Sequence, residues 1–363
     1  MANSKKRIFY FDALRTLAIL SVIMIHVFNS TTYMVQADYA LMPSLNWWLS
    51  CFLGSAFRTG VCIFLMLSGA LSLGRVWDIK TFLGKRIPRI VEPFLFWGFI
   101  LSILMILISY LHPNFLTTIP SFTIANSIIY IYNSYMAVNP GFTQFWFFWM
   151  ILGTYLIMPV FNKWLLHSDL KEAEYFLVLW LITCIFDFTL NIECPVKLTY
   201  FSGPIGLVVL GYYLRHTKRK AFNNVYFGLA IFLIGFIANV AICYFNSNTH
   251  HLFRIDRYAI SNIIQVIGIF LTFKNFSQLN LHPDFLYNPD GIFRKSVFSL
   301  AKYSYGIYLI HRVFMIIISK YFKHSVNFPE LVLIMFIGTL IVSWGVMALL
   351  NRVPYVKKVI GAK

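Results

Sequence analysis

Two ionisable residues fall on one face of the first apolar segment. Arg15 and His26 are eleven positions apart, which in a helix means about 16 Å of rise and three turns plus about 20° of rotation. A guanidinium at one end of such a stripe and an imidazole at the other suit a ligand with an anionic head and a reactive tail. Asp12 stands one turn below Arg15 and can pair with it. A charge at the centre of a bilayer costs about 2.5–3.5 kcal/mol on insertion scales, so each one needs a reason. Plainer reasons exist too: Arg15 can snorkel to headgroups, and His26 can bond a carbonyl of a neighbouring helix.

Further groups capable of chemistry follow along the chain. Lys85-Arg86-Ile87-Pro88-Arg89 precedes a predicted helix, and Arg86 and Arg89, three apart beside a proline, have a spacing that suits phosphate. Basic loops on the cytoplasmic side need no such function. Ser68-Gly69-Ala70 supplies small residues for close helix packing. Ser304, Tyr308 and His311 are spaced by four and three, hence on one face, and a polar stripe in lipid implies a lined cavity. Arg58, Asp187, Asn262 and Gln265 either line a cavity or bond between helices. His250 and His251 read as a solvated loop pair.

The elements that must position these groups are transmembrane helices. The 363 residues are 59% hydrophobic and 12% charged, against about 45–50% and about 25% in soluble domains, which excludes a soluble core. Apolar stretches near the spanning length recur at Phe11–Met34, Trp47–Leu73, Ile90–Leu111, Phe145–Phe161, Tyr175–Leu190, Tyr200–Leu214, Val225–Phe245, Tyr258–Phe273, Val297–Ser319 and Leu331–Leu350. The expected fold is an all-α polytopic transmembrane bundle of about ten helices, a single domain over residues 1–363.

The net charge of +17 suggests nucleic-acid binding in a soluble protein, but here Lys and Arg follow topology. They crowd the segments at Lys5-Lys6-Arg7, Arg75 to Arg89, Lys163 to Lys171, Arg215 to Lys220, Lys274 to Lys302 and Arg352 to Lys363. The alternate segments hold only Lys197, Arg254, Arg257, Lys320 and Lys323. That asymmetry puts both termini in the cytoplasm and makes the lipid bilayer, with no nucleic acid, the surrounding partner. The basic start followed by an apolar run resembles a signal peptide without a small-residue cleavage site, and reads as a retained first helix. Cys51, Cys62, Cys184, Cys194 and Cys243 show no paired spacing, so neither a structural disulfide nor a metal site is expected.

Taken together, the chain resembles the membrane-bound acyltransferase-3 family, which O-acylates cell-surface carbohydrates. The resemblance rests on Asp12-Ala13-Leu14-Arg15 with His26 ten residues beyond the arginine, on Phe64 to Leu71, and on Arg86-x-x-Arg89-Ile90 with Pro93. Trp146 with Tyr155 and Pro159, and Ser304-Tyr305-Gly306-Ile307-Tyr308-Leu309 with His311, extend it. Residues Tyr175 to Asn280 match only as generic spans. The family implies transfer of an acyl group, acetyl first, from cytoplasmic acetyl-CoA or another acyl-CoA to a hydroxyl of a surface carbohydrate acceptor, at the cytoplasmic membrane and without metal. On this reading His26, with Arg15 and Asp12, is catalytic, as general base or as acyl carrier. Arg86 and Arg89 hold the nucleotide phosphates, and Ser68, Ser304, Tyr308 or His311 line the donor path and supply an oxyanion donor. The competing class is export or flipping of a glycan or lipid, with His26 as a proton relay.

Overall fold

The computed structural model describes residues 8–35, 45–112, 123–190, 203–248, 256–279, 290–322 and 325–362, together with positions 192, 196 and 288. Lys5-Lys6-Arg7, Cys194, Lys197, His250, His251, Arg254 and Lys323 lie outside the described residues. The helices are α1 (Phe9–Val35), α2 (Leu45–Phe57), α3 (Gly60–Ser72), α4 (Ile79–Leu111), α5 (Ile124–Tyr135), α6 (Trp146–His167), α7 (Leu170–Ile185), α8 (Pro204–His216), α9 (Val225–Asn248), α10 (Ile260–Asn275), α11 (Ile292–Phe322) and α12 (Phe328–Leu350). Each of the ten predicted spans contains a helix among the described residues, and the second is α2 and α3 in series. Among the described residues 8 helices are long and apolar enough to cross a membrane. The other two predicted spans are α8, only 13 residues long, and α11, whose 31 residues are long enough but whose tyrosines, serines, His311 and cations lower its hydropathy. Because the backbone groups of a helix bond within the helix, a bundle of this kind satisfies itself where water is absent.

The helices group into two compact units: residues 1–76 with 160–301, and 77–159 with 302–363. In the first unit α1 runs antiparallel to α2 and α3, since Gly54 faces Phe28 and a Cβ on Gly60 would lie 2.7 Å from the Ala18 carbonyl. α9 and α10 are likewise antiparallel, with Gly228 against Thr272 and Gly235 against Gln265. The tightest crossing joins α3 to α8. A Cβ on Gly69 would lie 1.8 Å from the Val208 carbonyl, and one on Gly211 2.0 Å from the Met66 carbonyl. In lipid, where burial adds little between apolar helices, close backbone approach of this kind supplies the packing energy. Thr16 Oγ1 donates to the Val297 carbonyl (2.9 Å), tying α1 to the start of α11.

Cys51 on α2 and Cys243 on α9 form a disulfide, with Cα atoms 6.1 Å apart. This corrects the expectation of no structural disulfide. The two lie 192 residues apart, so sequence spacing carried no sign of a bridge that tertiary packing creates.

In the second unit Phe94 of α4 is the aromatic centre. Its ring stacks on Phe148 at 3.6 Å and meets Phe145 and Tyr135 edge-on at 4.9 and 5.3 Å. Tyr305 of α11 donates its hydroxyl proton to the Ile90 carbonyl (2.7 Å), and Trp97 donates to the Ile360 carbonyl (3.1 Å). A second correction concerns α4, which begins at Ile79 under an Asp78 cap whose carboxylate accepts from the Thr81 amide. Arg86 and Arg89 therefore sit within a helix that continues through Pro88 and Pro93, not in a loop before it. Each proline removes one amide donor from the helix, a loss that membrane helices tolerate. The short helix α5, in the long segment read as a loop, escaped prediction because its 12 residues are too few to span.

The Gly69 crossing yields a test. Gly69→Ala should cost about 1–3 kcal/mol through overpacking, lowering the thermal midpoint of the detergent-solubilised protein. Unchanged stability would mean that α3 and α8 do not meet through backbone.

Candidate active site

α1 carries the first part of the site. Leu14, Ala18, Ile19, Val22, Ile23 and Val27 are buried, so most of its circumference is held by neighbours, while Arg15 and His26 are half-buried on the remaining face. Asp12 is buried, and its carboxylate lies 3.6 Å from the Arg15 guanidinium. The predicted pair is thus formed, and it offsets the charge of an arginine one turn inside the helix. The plain snorkelling reading of Arg15 has to accommodate this carboxylate.

Ser68, on α3, donates its hydroxyl proton back to the Phe64 carbonyl of its own helix (3.0 Å). In that rotamer the proton is committed, which argues against Ser68 as an oxyanion donor. Gly69, beside it, does the packing.

The remaining predicted residues lie in the second unit. Arg86 is half-buried with its guanidinium 5.8 Å from the Phe82 ring, and Arg89, one turn on, is exposed. On α11, Ser304, Tyr308 and His311 are all buried. The Tyr308 hydroxyl donates to the Gln144 carbonyl, while the Gln144 amide donates to the Leu309 carbonyl (3.2 Å). Tyr308 is therefore a strut between α11 and the turn before α6. His311 Nδ1 faces the Ile307 and Tyr308 carbonyls at 3.2 and 2.7 Å. Two acceptors require a proton on Nδ1, which leaves Nε2 as the basic nitrogen. Gly306 is needed because a Cβ there would lie 2.6 Å from the Ile360 carbonyl. Within Ser304 to His311, then, Tyr305, Gly306 and Tyr308 hold helices together, and His311 keeps a chemical option.

Two of the polar residues without an assigned role are accounted for by the fold. Asn262 donates to the Arg257 carbonyl (2.9 Å), and the Gln265 side chain accepts from Asn239 (2.6 Å), so both carry inter-element bonds. Among the described residues no cluster of His, Cys, Asp or Glu has the makings of a metal site.

One grouping went unnoticed in the sequence, where its members only marked topology. Arg75, Arg215, His216 and Lys274 gather at the C-terminal ends of α3, α8 and α10. Arg215 donates to the Ala70 carbonyl, Lys274 donates to the Leu214 carbonyl (2.7 Å), and the Arg215 guanidinium lies 5.2 Å from the Phe11 ring. Burial, then the positive charge of Arg215, holds the Arg75 pKa below its ordinary value, and burial with these same cations pushes that of His216 down. Arg215 and Lys274 thus answer exposed carbonyls at helix ends. Only the tertiary fold brings together residues from such distant segments.

The family described as an acyltransferase domain, acyltransferase-3, matches residues 8–348. The chain belongs to this family, and the match runs across both compact units. No curated protein and no solved structure matches. Family and helices together make it a multi-pass membrane acyltransferase.

Tyr308 provides the test of this division of labour. Tyr308→Phe leaves the buried Gln144 carbonyl short of a donor, at a cost of about 1–3 kcal/mol. The thermal midpoint should fall while acyl transfer by the folded fraction stays within a few-fold of wild type. A well-folded but inactive Tyr308→Phe protein would return the hydroxyl to the chemistry.

Proposed function

With membership of the acyltransferase family as the premise, we propose that the protein transfers an acyl group, acetyl by preference, from cytoplasmic acyl-CoA to a hydroxyl of a carbohydrate on the outer side of the cytoplasmic membrane. The observation that carries the proposal is the α1 stripe. Arg15, paired to Asp12, marks its inner end, and the half-buried His26 stands about 16 Å further out. That length allows the nucleotide to stay on one side of the membrane while the thioester reaches the level of the imidazole. The gathering of Arg75, Arg215, His216 and Lys274 near the start of α1 agrees with a cytoplasmic assignment of that end.

His26 acts as general base in this mechanism. Its neutral imidazole takes the proton of the acceptor hydroxyl as the oxygen attacks the thioester carbonyl, and the imidazolium returns that proton to the departing thiolate. The C–O bond forms, the C–S bond breaks, and the histidine ends as it began. Imidazole suits both directions of transfer because it ordinarily titrates near neutral pH. Arg86 and Arg89, one turn apart on α4, grip the donor phosphates through charge-assisted hydrogen bonds.

The test compares the acyl content of purified surface glycan in cells with and without the chain, alongside coenzyme A binding to solubilised protein. Acylation should require the chain. In Arg86→Ala and Arg89→Ala each lost charge-assisted contact should weaken coenzyme A binding by roughly ten- to a hundredfold. Glycan acylation that is independent of the chain would refute the proposal. Unchanged coenzyme A affinity in a folded double variant would move the phosphate site away from α4.

A further inference from the structure

The membrane-crossing stretch Leu45–Ser72 is broken near its middle. α2 ends at Phe57 and α3 begins at Gly60, so Arg58 and Thr59 occupy the break. The Arg58 Nε is buried and has no hydrogen-bond partner among the described residues, and the same holds for the Thr59 hydroxyl. Asp256 and Arg257 are within electrostatic reach of the Arg58 guanidinium, yet no described carboxylate forms an ion pair with it. A guanidinium N–H left unsatisfied inside a membrane protein is expensive enough to call for a ligand.

The surroundings of the break are built. Cys62, in the first turn of α3, donates its thiol proton to the Arg257 carbonyl at 3.3 Å. Asn262 of α10 donates to the same carbonyl at 2.9 Å and to the Cys62 sulfur at 3.5 Å. These bonds tie the segment before α10 to the broken helix and use the amide nitrogen of Asn262. Its Oδ1, also buried, has no partner among the described residues. The result is one guanidinium N–H, one hydroxyl and one amide oxygen, each buried and without a partner among the described residues, at or beside the same break and all within the first compact unit.

The depth of this group matters. Gly54 faces Phe28, and Gly60 faces Ala18 and Val22, so by interpolation along the antiparallel helices Arg58 is level with Val22 and Ile23, about one turn from His26 on α1.

We propose that Arg58, Thr59 and Asn262 form the acceptor subsite, binding neighbouring hydroxyl groups of a carbohydrate about one turn inward of His26. A hydroxyl both donates and accepts, so it needs a mixed set of this kind, whereas a simple anion would meet the nearby Asp256 carboxylate and the Asn262 oxygen as repulsive neighbours. The proposal rests on the function given above, because it presumes a carbohydrate acceptor and His26 as the base.

The experiment uses the full chain and three variants: Thr59→Val, Arg58→Met, and Arg58→Met combined with Asp256→Asn. Acyl content of purified surface glycan is measured beside coenzyme A binding and thermal midpoint of the solubilised proteins. Thr59→Val keeps its volume and loses no protein hydrogen bond, so it should fold normally and acylate several-fold less. Arg58→Met should acylate at least about tenfold less, as expected where a charged hydrogen bond is lost, with coenzyme A affinity unchanged. The double variant, which also removes the Asp256 charge, should recover stability but not acylation. Recovery of acylation in the double variant, normal acylation in Arg58→Met, or weakened coenzyme A binding in it would each overturn the subsite. Wild-type cells whose glycan gains no acyl group from the chain would overturn the function itself, and the subsite with it.

Discussion

A peptide group in hydrocarbon has no water to turn to, and an unpaired charge there is costlier still. The architecture follows from how the chain meets these two demands. Helices answer the first. Pairing answers the second, as between Arg15 and Asp12, and neutral polar side chains that break the apolar pattern bond across helices, as Thr16 does to Val297 and Tyr305 to Ile90. Glycines then allow backbones to approach where apolar burial gives little, most closely at Gly69 and Gly211. Arg15 and His26 stand half-buried on α1, and at the break Arg58 keeps a buried Nε without a hydrogen-bond partner among the described residues.

Function divides the family-like segments along the same lines. Gly69, Tyr305, Gly306 and Tyr308 look like chemistry in a list of residues, but in the fold they are contacts that set helix spacing. Arg15 with Asp12, the half-buried His26 and the exposed Arg89 are the residues on which a reaction can be hung. A substitution in the first group should act through stability and one in the second through turnover.

Much of the fold was legible in the sequence because an apolar run of spanning length has few alternatives in lipid. The start of α4 was misread because prolines signal breaks in water, whereas Pro88 and Pro93 are carried within a long membrane helix. The pause between α2 and α3 was invisible because Arg58-Thr59-Gly60 interrupts the apolar run too briefly to register. The Cys51–Cys243 disulfide and the cluster of Arg75, Arg215, His216 and Lys274 are tertiary facts, made by helices that are remote in sequence. For the site, Asp12, Arg15 and His26 were legible through helical spacing, which is a local property. The commitment of Ser68 to Phe64 was not, because a rotamer has no sequence signal.

The central claim is that the imidazole on α1 moves a proton, and His26→Gln tests it most directly. Glutamine keeps much of the size and some of the hydrogen bonding of histidine but accepts no proton at neutral pH. Acyl content of purified surface glycan should fall by at least about 100-fold, the range of a lost general base, while coenzyme A affinity and thermal midpoint of the solubilised protein stay close to wild type. Near-normal acylation by a well-folded His26→Gln protein would contradict the account and leave His311, with its Nδ1 turned to its own helix, as the base to examine.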